Sequence, residues 1–362
     1  MQGEPEMTMI DLFSGCGGVT TGFKRAGFRV LAAVEIDPIA AQTYRQNHPE
    51  VRMYEADIRR IDPETIMRDC SVPCGHVTVL GICAPCQPFS RLTRKTPVDD
   101  QAWLLLETIR FIAALQPRVL FIENVPGLVR HPSVFPTFLD AVTELGYTRY
   151  VSSVIDAVQY GVPQFRKRFV VVATTNMAMD VCLPAPTHAP PDDAERYGLQ
   201  VWRTVRDAFA GLPVIGAGES SATDPLHRSR HHSPLVIERL RHIPHNGGSR
   251  ASLPESLQLR CHAVPHVGYR DVYGRMQYDM PAPTLTTGCT NVTKGRFAHP
   301  TADRAITLRE AARLQTFPDT YRFCGSYEHI AAQIGNAVPV ALAHAIAHSI
   351  RTMLSSSCHP AC

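Results

Sequence analysis

Read for its apolar and polar positions, the first third of the chain repeats one unit: a short apolar run, a turn, then apolar residues at helical spacing. Met9-Ile-Asp-Leu-Phe13 is the first run, followed by Ser14-Gly-Cys-Gly-Gly18 and helical spacing through Phe23. Val30-Leu-Ala-Ala-Val34 is the next, closed by Glu35-Ile-Asp37 ahead of a helix through Tyr44. Val77-Thr-Val-Leu80 and Val119-Leu-Phe-Ile122 continue the series with a helix from about Trp103 to Leu115 between them, and Val170-Val-Val-Ala173 reads as a further buried strand. Buried strands alternating with helices predict a doubly wound α/β fold with a mostly parallel sheet. Ligands of such sheets bind beyond the carboxyl ends of the strands.

The pattern changes at Pro184-Ala-Pro-Thr-His-Ala-Pro-Pro191, a linker signal. From there to about Phe323 the chain is richer in Arg, His, Gly and Pro and poorer in apolar runs. Strong helical periodicity returns from Ala331 to Met353, a tail expected to pack on the first domain. The 362 residues are long for one domain. The expected division is a catalytic and cofactor-binding domain over 1–185 plus 329–362 and a smaller domain over 186–328.

Composition changes this picture little. The 44% hydrophobic and 19% charged content is that of a globular chain. No apolar run approaches the roughly 20 residues of a membrane span. Met1 to Met7 lacks the basic start and apolar stretch of a signal peptide, so a cytoplasmic, non-membrane protein is expected. Eleven cysteines in such a chain read as free thiols, metal ligands or nucleophiles rather than disulfides. The net charge of +3 identifies no polyanion partner by itself; its distribution matters more. Between Pro225 and Arg275 eight arginines (228, 230, 239, 241, 250, 260, 270, 275) face three acids, Glu238, Glu255 and Asp271.

Candidate chemistry gathers at strand ends. In the Ser14 to Gly18 turn, small residues let backbone N–H groups approach a cofactor, although glycines there can also serve tight packing. Glu35, at the end of the second strand, suits binding of ribose hydroxyls, and Asp57 follows; either acid could instead cap a helix. Pro85-Cys86 lies past the strand at Val77 to Leu80, where a cysteine held between prolines suits an exposed nucleophile. Cys83 completes a C-x-x-C with it, so a redox dithiol or half a zinc site is the alternative; the motif has no second copy and runs into Pro88. Glu123 ends the strand from Val119 and could act as an acid or cap a turn. Arg166 and Arg168 fall on one side of an extended segment, suiting a phosphate or a base edge, or forming a solvated charge run.

In this order the segments resemble the cytosine-C5 DNA methyltransferase family. The likeness rests on Asp11-Leu-Phe-Ser-Gly-Cys-Gly-Gly18, Glu35, Asp57, Gly81 through Ser90, Glu123-Asn-Val125, Gln164-Phe-Arg-Lys-Arg168, Arg309-Glu-Ala-Ala-Arg-Leu-Gln-Thr-Phe-Pro318 and Gln333-Ile-Gly-Asn-Ala-Val-Pro339. It spans the chain except roughly 190–269. The resemblance implies a Rossmann-like fold, S-adenosyl-L-methionine as methyl donor, S-adenosyl-L-homocysteine as product, and no metal. Cys86 would add to C6 of cytosine, Glu123 would bind N3 and the exocyclic amine, and Arg166 and Arg168 would position the base and its surrounding loop. Phe13, Ser14, Gly15, Cys16, Gly17, Gly18, Glu35, Asp57, Ile58, Pro85, Asn336 and Val338 would hold the cofactor.

A stacked cytosine must be flipped out before C5 can be reached. The resemblance therefore gives double-stranded DNA as partner, with Ser90, Arg91 and Arg94 on a lid and Arg228, Arg230, Arg250, Arg270 and Arg275 on phosphates and guanine edges of a target-recognition domain. The seven histidines between Pro225 and Arg275 show no zinc spacing with Cys261. A transfer-RNA cytosine methyltransferase and a catalytically dead DNA-binding regulator are the competing readings. Cognate restriction or defence proteins are possible partners, and a monomer with one active site is the family default.

Overall fold

The apolar runs become strands because a parallel sheet is covered on both faces, so neither side of the strand needs polar residues. The computed structural model describes residues 6–85, 103–130, 133–259 and 271–356. It contains one seven-stranded sheet: β1 (Thr8–Leu12), β2 (Arg29–Glu35), β3 (Arg52–Glu55), β4 (Val79–Ile82), β5 (Val119–Asn124), β6 (Arg149–Asp156) and β7 (Lys167–Thr174). Their spatial order is β3-β2-β1-β4-β5-β7-β6. The strands β1 to β5 pair in parallel, and β7 runs antiparallel to β5 and β6. The chain moves outward from β1 to β3 and then returns to β4, so the order reverses between β1 and β4 and opens a crevice at their carboxyl ends. The doubly wound, mostly parallel α/β class expected from the sequence is the one found.

Helices α1 (Gly18–Arg25), α2 (Pro38–Asn47), α3 (Pro63–Asp69), α4 (Leu104–Glu107), α5 (Ile109–Leu115) and α6 (Val134–Glu144) accompany the sheet. One core joins Ile10, Leu12, Leu80, Ile82, Leu120 and Ile122 to Phe111 and Phe138. Phe23 of α1 meets Phe121 with ring centroids 5.5 Å apart. The two strands with no apolar run in the sequence lie at the sheet's edges. Most of β6 is exposed, and β3 has no fully buried residue.

The described residues divide into two compact units, one comprising those up to Ala157 with Lys167–Pro186 and those from Val340, the other Val158–Arg166 with Thr187–Pro339. The division after Pro186 lies one residue beyond the expected 185. The return at Val340 comes later than the expected 329, and Val158–Arg166 joins the second unit. The reason is Arg166, whose guanidinium donates to the carbonyls of Leu285, Gly335 and Ala337 at 2.8, 2.9 and 3.0 Å.

The second unit has little regular structure: β8 (His188–Ala189) paired with β9 (Gln200–Val201), and helices α7 (Pro191–Tyr197), α8 (Val205–Phe209), α9 (Pro234–Arg241), α10 (Leu308–Leu314) and α11 (Tyr327–Asn336). One of its apolar clusters joins Leu240, Ile243, Val272, Tyr273 and Val292. Buried charge supplements it. Arg304 forms a forked pair with Glu310 at 2.9 and 2.8 Å, both side chains 2% exposed.

The last helix, α12 (Val340–Ser356), belongs to the first unit and packs on α1. Arg351 donates to the carbonyl of Ala26 at 2.9 Å. The continuous periodicity from Ala331 is broken between α11 and α12, where Pro339 lacks an N–H and disfavours helical geometry at Val338. Taken together, α11 and α12 (Tyr327–Ser356) are long and apolar enough to cross a membrane. Their apolar window is 67% buried within the protein, as core helices are.

Candidate active site

The turn after β1 is built by backbone conformation. Phe13, Gly15 and Gly17 have φ of 60°, 54° and 95°, a left-handed sequence in which two of three residues need glycine's freedom. The turn wraps the end of β2: Ser14 N–H donates to Val34 O at 3.0 Å, and Gly15 N–H donates to Glu35 Oε2 at 2.8 Å. Glu35 Oε1 accepts Asp37 N–H at 2.8 Å. Burial pushes the Glu35 carboxyl above its usual range, and these N–H groups oppose that.

The geometry suits a nucleoside cofactor. Glu35 accepts one backbone N–H on each oxygen, leaving lone pairs for ribose hydroxyls. A Cβ on Gly15 would meet nothing within 4 Å, so the turn faces open space. Ser14 Oγ is buried without a hydrogen-bond partner among the described residues. Helix α1 follows with no side-chain cap and no acid in its first turn, leaving its N–H groups for a ligand. Cys16 is a packing thiol, its pKa raised by burial to about 12.

Asp57 caps the short turn Ile58–Arg60 through Arg59 N–H at 3.0 Å and pairs with Arg59 Nη2 at 2.6 Å, which holds its carboxyl below the usual range. The helix-cap expectation for Asp57 is what these bonds show, and its carboxylate lies past the end of β3. Ile58 is buried. Pro85 is half-buried, three residues beyond β4. The expected nucleophile Cys86 and the lid residues Ser90, Arg91 and Arg94 lie outside the described residues.

The strand next to β4 supplies the other polar groups. Glu123, 6% exposed, ends β5. The β5–β7 register pairs Glu123 with Val170, which puts Arg168 two residues away on the same face. Arg168 Nε lies 2.8 Å from Glu123 Oε1, with side chains 11% and 8% exposed. The sequence reading passed over Asn124 and Asp11. Asn124 donates to the carbonyl of Ala84 at 3.0 Å and accepts Val125 N–H at 2.9 Å, bracing the chain two residues before Cys86. Asp11 is wholly buried in β1, accepts the Thr20 hydroxyl at 2.7 Å, and has its pKa raised to about 7, mainly by burial. An acid flanked by four apolar residues was the available signal. Cys83 is pushed well above the usual thiol range by burial and by Glu123 and Asp11, so it is no thiolate.

In the second unit, Arg166 is 2% exposed and spends its donors on the Leu285, Gly335 and Ala337 carbonyls. It braces the turn that carries Asn336 and Val338. Gly335 is required there, because a Cβ would lie 2.2 Å from Thr286 O. Asn336 is exposed and Val338 buried.

The expected DNA-contacting arginines separate. Arg228 and Arg230 are half-buried beside each other over Tyr327, and Arg250 is half-buried in a short turn. Arg270 lies outside the described residues. Arg275 is corrected: it is 0% exposed and donates to the carbonyls of Leu240, Ile243, His299 and Ala302 and to Asp303. All its donor nitrogens are committed inside the unit, so it is a strut and not a reader of DNA.

A doubly wound sheet with a backbone-lined turn after β1, an acid closing β2 and a paired carboxylate closing β5 defines the Rossmann-like methyltransferase class. The chain belongs to the C-5 cytosine-specific DNA methylase family, whose profile matches residues 7–352. It is 39% identical over 355 residues to the Type II methylase M.HgiDII of Herpetosiphon aurantiacus, covering 96% of this chain and 95% of that protein. It is 33% identical over 352 residues to the Type II methyltransferase M1.HphI of Haemophilus parahaemolyticus, covering 96% and 87%. Among solved structures, one described as a DNA modification methyltransferase encoded within an E. coli prophage superposes with a TM-score of 0.75 at 25% identity, covering 97% of this chain and all of that one.

Proposed function

We propose that the chain is a DNA (cytosine-5-)-methyltransferase that flips a cytosine out of a specific duplex sequence and methylates it through a covalent bond to Cys86. The observation that carries the reading is the family match along residues 7–352, joined to the placement of Glu35 and Glu123 at the ends of β2 and β5. S-adenosyl-L-methionine supplies the electrophilic methyl group and leaves as S-adenosyl-L-homocysteine. Phe13, Ser14, Gly15, Cys16, Gly17 and Gly18 with Glu35, Asp57, Ile58 and Pro85 are the residues assigned to it. Asn336 and Val338 are assigned to it by the family likeness.

The chemistry follows from the substrate. C5 of cytosine is a weak nucleophile, so the Cys86 thiolate first bonds to C6 while the Glu123 carboxyl gives a proton to N3 and accepts from the exocyclic amine, which keeps the ring from gaining net negative charge. Arg168, 2.8 Å from Glu123, orients that carboxyl. The enamine formed this way presents an electron pair at C5, which takes the methyl from the sulfonium. Loss of the C5 proton to a base and departure of Cys86 restore the aromatic ring. Arg166 acts at one remove, by bracing the 335–337 turn.

The relatives named above are Type II enzymes, which supports a role beside a cognate restriction endonuclease. The test is transfer of tritiated methyl by wild type and Cys86→Ser to mixed-sequence duplex DNA and, separately, to transfer RNA. Label on C5 of DNA cytosine, lost in the variant, is expected. Label on RNA alone would move the substrate, and label on neither would leave a DNA-binding regulator.

A further inference from the structure

Residues 227–230 run antiparallel to 218–221. Ser221 N–H donates to His227 O at 2.8 Å, Ser229 N–H to Glu219 O at 2.8 Å, and Gly218 N–H to Arg230 O at 3.2 Å. Alternation along this extended stretch buries His227 and Ser229 and sends Arg228 and Arg230 to the opposite face. There both guanidiniums lie over one ring: their central carbons are 5.5 and 5.3 Å from the centroid of Tyr327.

The charges around this ring do not balance. Arg230 pairs with Glu328 at 2.7 Å, but the Glu328 side chain is 67% exposed. Arg228 has no ion-pair partner among the described residues, and the Nε atoms of both arginines are buried and unpaired there. Two like charges side by side repel each other, and the ring offsets that only in part. An incoming anion offsets it far more.

We propose that Arg228 and Arg230, both held against Tyr327, form a clamp for one phosphodiester group of the DNA backbone, with Glu328 the counter-charge that Arg230 releases on binding. This rests on the DNA reading above. Guanidinium forks match the oxygens of a phosphate, and stacking on the ring restricts the side chains before binding, so less ordering remains to be done. An exposed ion pair such as Arg230–Glu328 contributes little, so its exchange for a phosphate is favourable. A base edge is read by a single fork lying in the base plane, whereas two neighbouring guanidiniums suit the two unesterified oxygens of a phosphodiester. Tyr327 is a positioning residue in this scheme.

The experiment is fluorescence anisotropy of a labelled mixed-sequence duplex with the full-length protein, from about 50 to about 300 mM KCl. Each lost phosphate contact should reduce the slope of log affinity against log salt by about 1. Arg228→Gln and Arg230→Gln are each expected to do so at unchanged melting temperature. Tyr327→Leu should reduce it as well, Tyr327→Phe should restore the wild-type slope, and Glu328→Gln should tighten binding several-fold at low salt. A slope unaltered by both arginine variants overturns the clamp while leaving the DNA reading intact. A Tyr327→Phe slope as shallow as that of Tyr327→Leu overturns the role of the ring. Wild type that binds no duplex and labels none overturns the DNA reading itself.

Discussion

Gly22 of α1 lies directly against Ala343 of α12: a Cβ at Gly22 would sit 2.5 Å from the Ala343 Cβ and 2.7 Å from the His344 amide nitrogen. Segments more than 300 residues apart in sequence thus approach to backbone contact. Alanine would gain roughly 1 kcal/mol of helix propensity at this position. The obstacle, however, is the backbone of another helix, which cannot swing aside, and overpacking of that kind costs about 1–3 kcal/mol or more. Gly22→Ala is therefore expected to lower stability, measured by urea unfolding. A stabilised variant would mean that the two helices part without cost.

Arg304 and Glu310 are expected to be the most sensitive charged pair of the second unit. Both are 2% exposed. Burial pushes the Glu310 carboxyl up, but Arg304, aided by the Thr307 N–H, holds it below its usual range. Removing one member strands the other, at a cost of about 3–5 kcal/mol. Glu310→Gln and Arg304→Met should each lose that much in thermal or chemical unfolding. The depressed folded pKa implies stability that is present above the usual carboxylate range and lost as pH falls below it.

Asp11 has the opposite sign. Its folded pKa, raised from 3.8 to about 7, means that the folded protein keeps a proton that the unfolded chain has already released. Stability from this group is greatest in acid, declines as pH rises between those two values, and stays low above them. The full effect is on the order of 4 kcal/mol. Asp11→Asn keeps an acceptor for Thr20 and removes the titration. Cofactor-free Asp11→Asn should be more stable than wild type at pH 8 and nearly equal to it at pH 4, with a flatter profile between. Parallel profiles would show that Asp11 stays ionised throughout.

Glu35 is expected to govern cofactor affinity. Charge-assisted hydrogen bonds of the kind proposed between Glu35 and ribose are worth about 1.5–3 kcal/mol. Titration calorimetry with S-adenosyl-L-homocysteine should show roughly tenfold or greater weakening for Glu35→Gln. Glu35→Ala should bind more weakly still, because the Gly15 N–H also loses its acceptor. Unchanged affinity in both variants would remove Glu35 from the cofactor site.

Much of the first unit was legible along the chain. The strands β1, β2, β4, β5 and β7 are continuous apolar runs, buried on both faces, and hydrophobicity announces such strands without help from partners. The acids that close them, Glu35 and Glu123, could be placed at strand ends for the same reason. The strands β3 and β6 carry no such mark, because edge strands that stay partly in water need not be apolar.

What local pattern determined, then, was the fold class, the turn after β1 and the family motifs in their order, since each depends on residues close together in sequence. Tertiary structure alone decided the uses of the arginines. Arg166, Arg228 and Arg275 look alike in the sequence, yet Arg166 donates to carbonyls more than 100 residues away, Arg275 is sealed among carbonyls and Asp303, and Arg228 rests on Tyr327 with no counter-charge among the described residues. A guanidinium's role is set by which acceptors surround it. In a unit built mostly of turns those acceptors are backbone carbonyls, brought together by the fold and carrying no signature in the residue string.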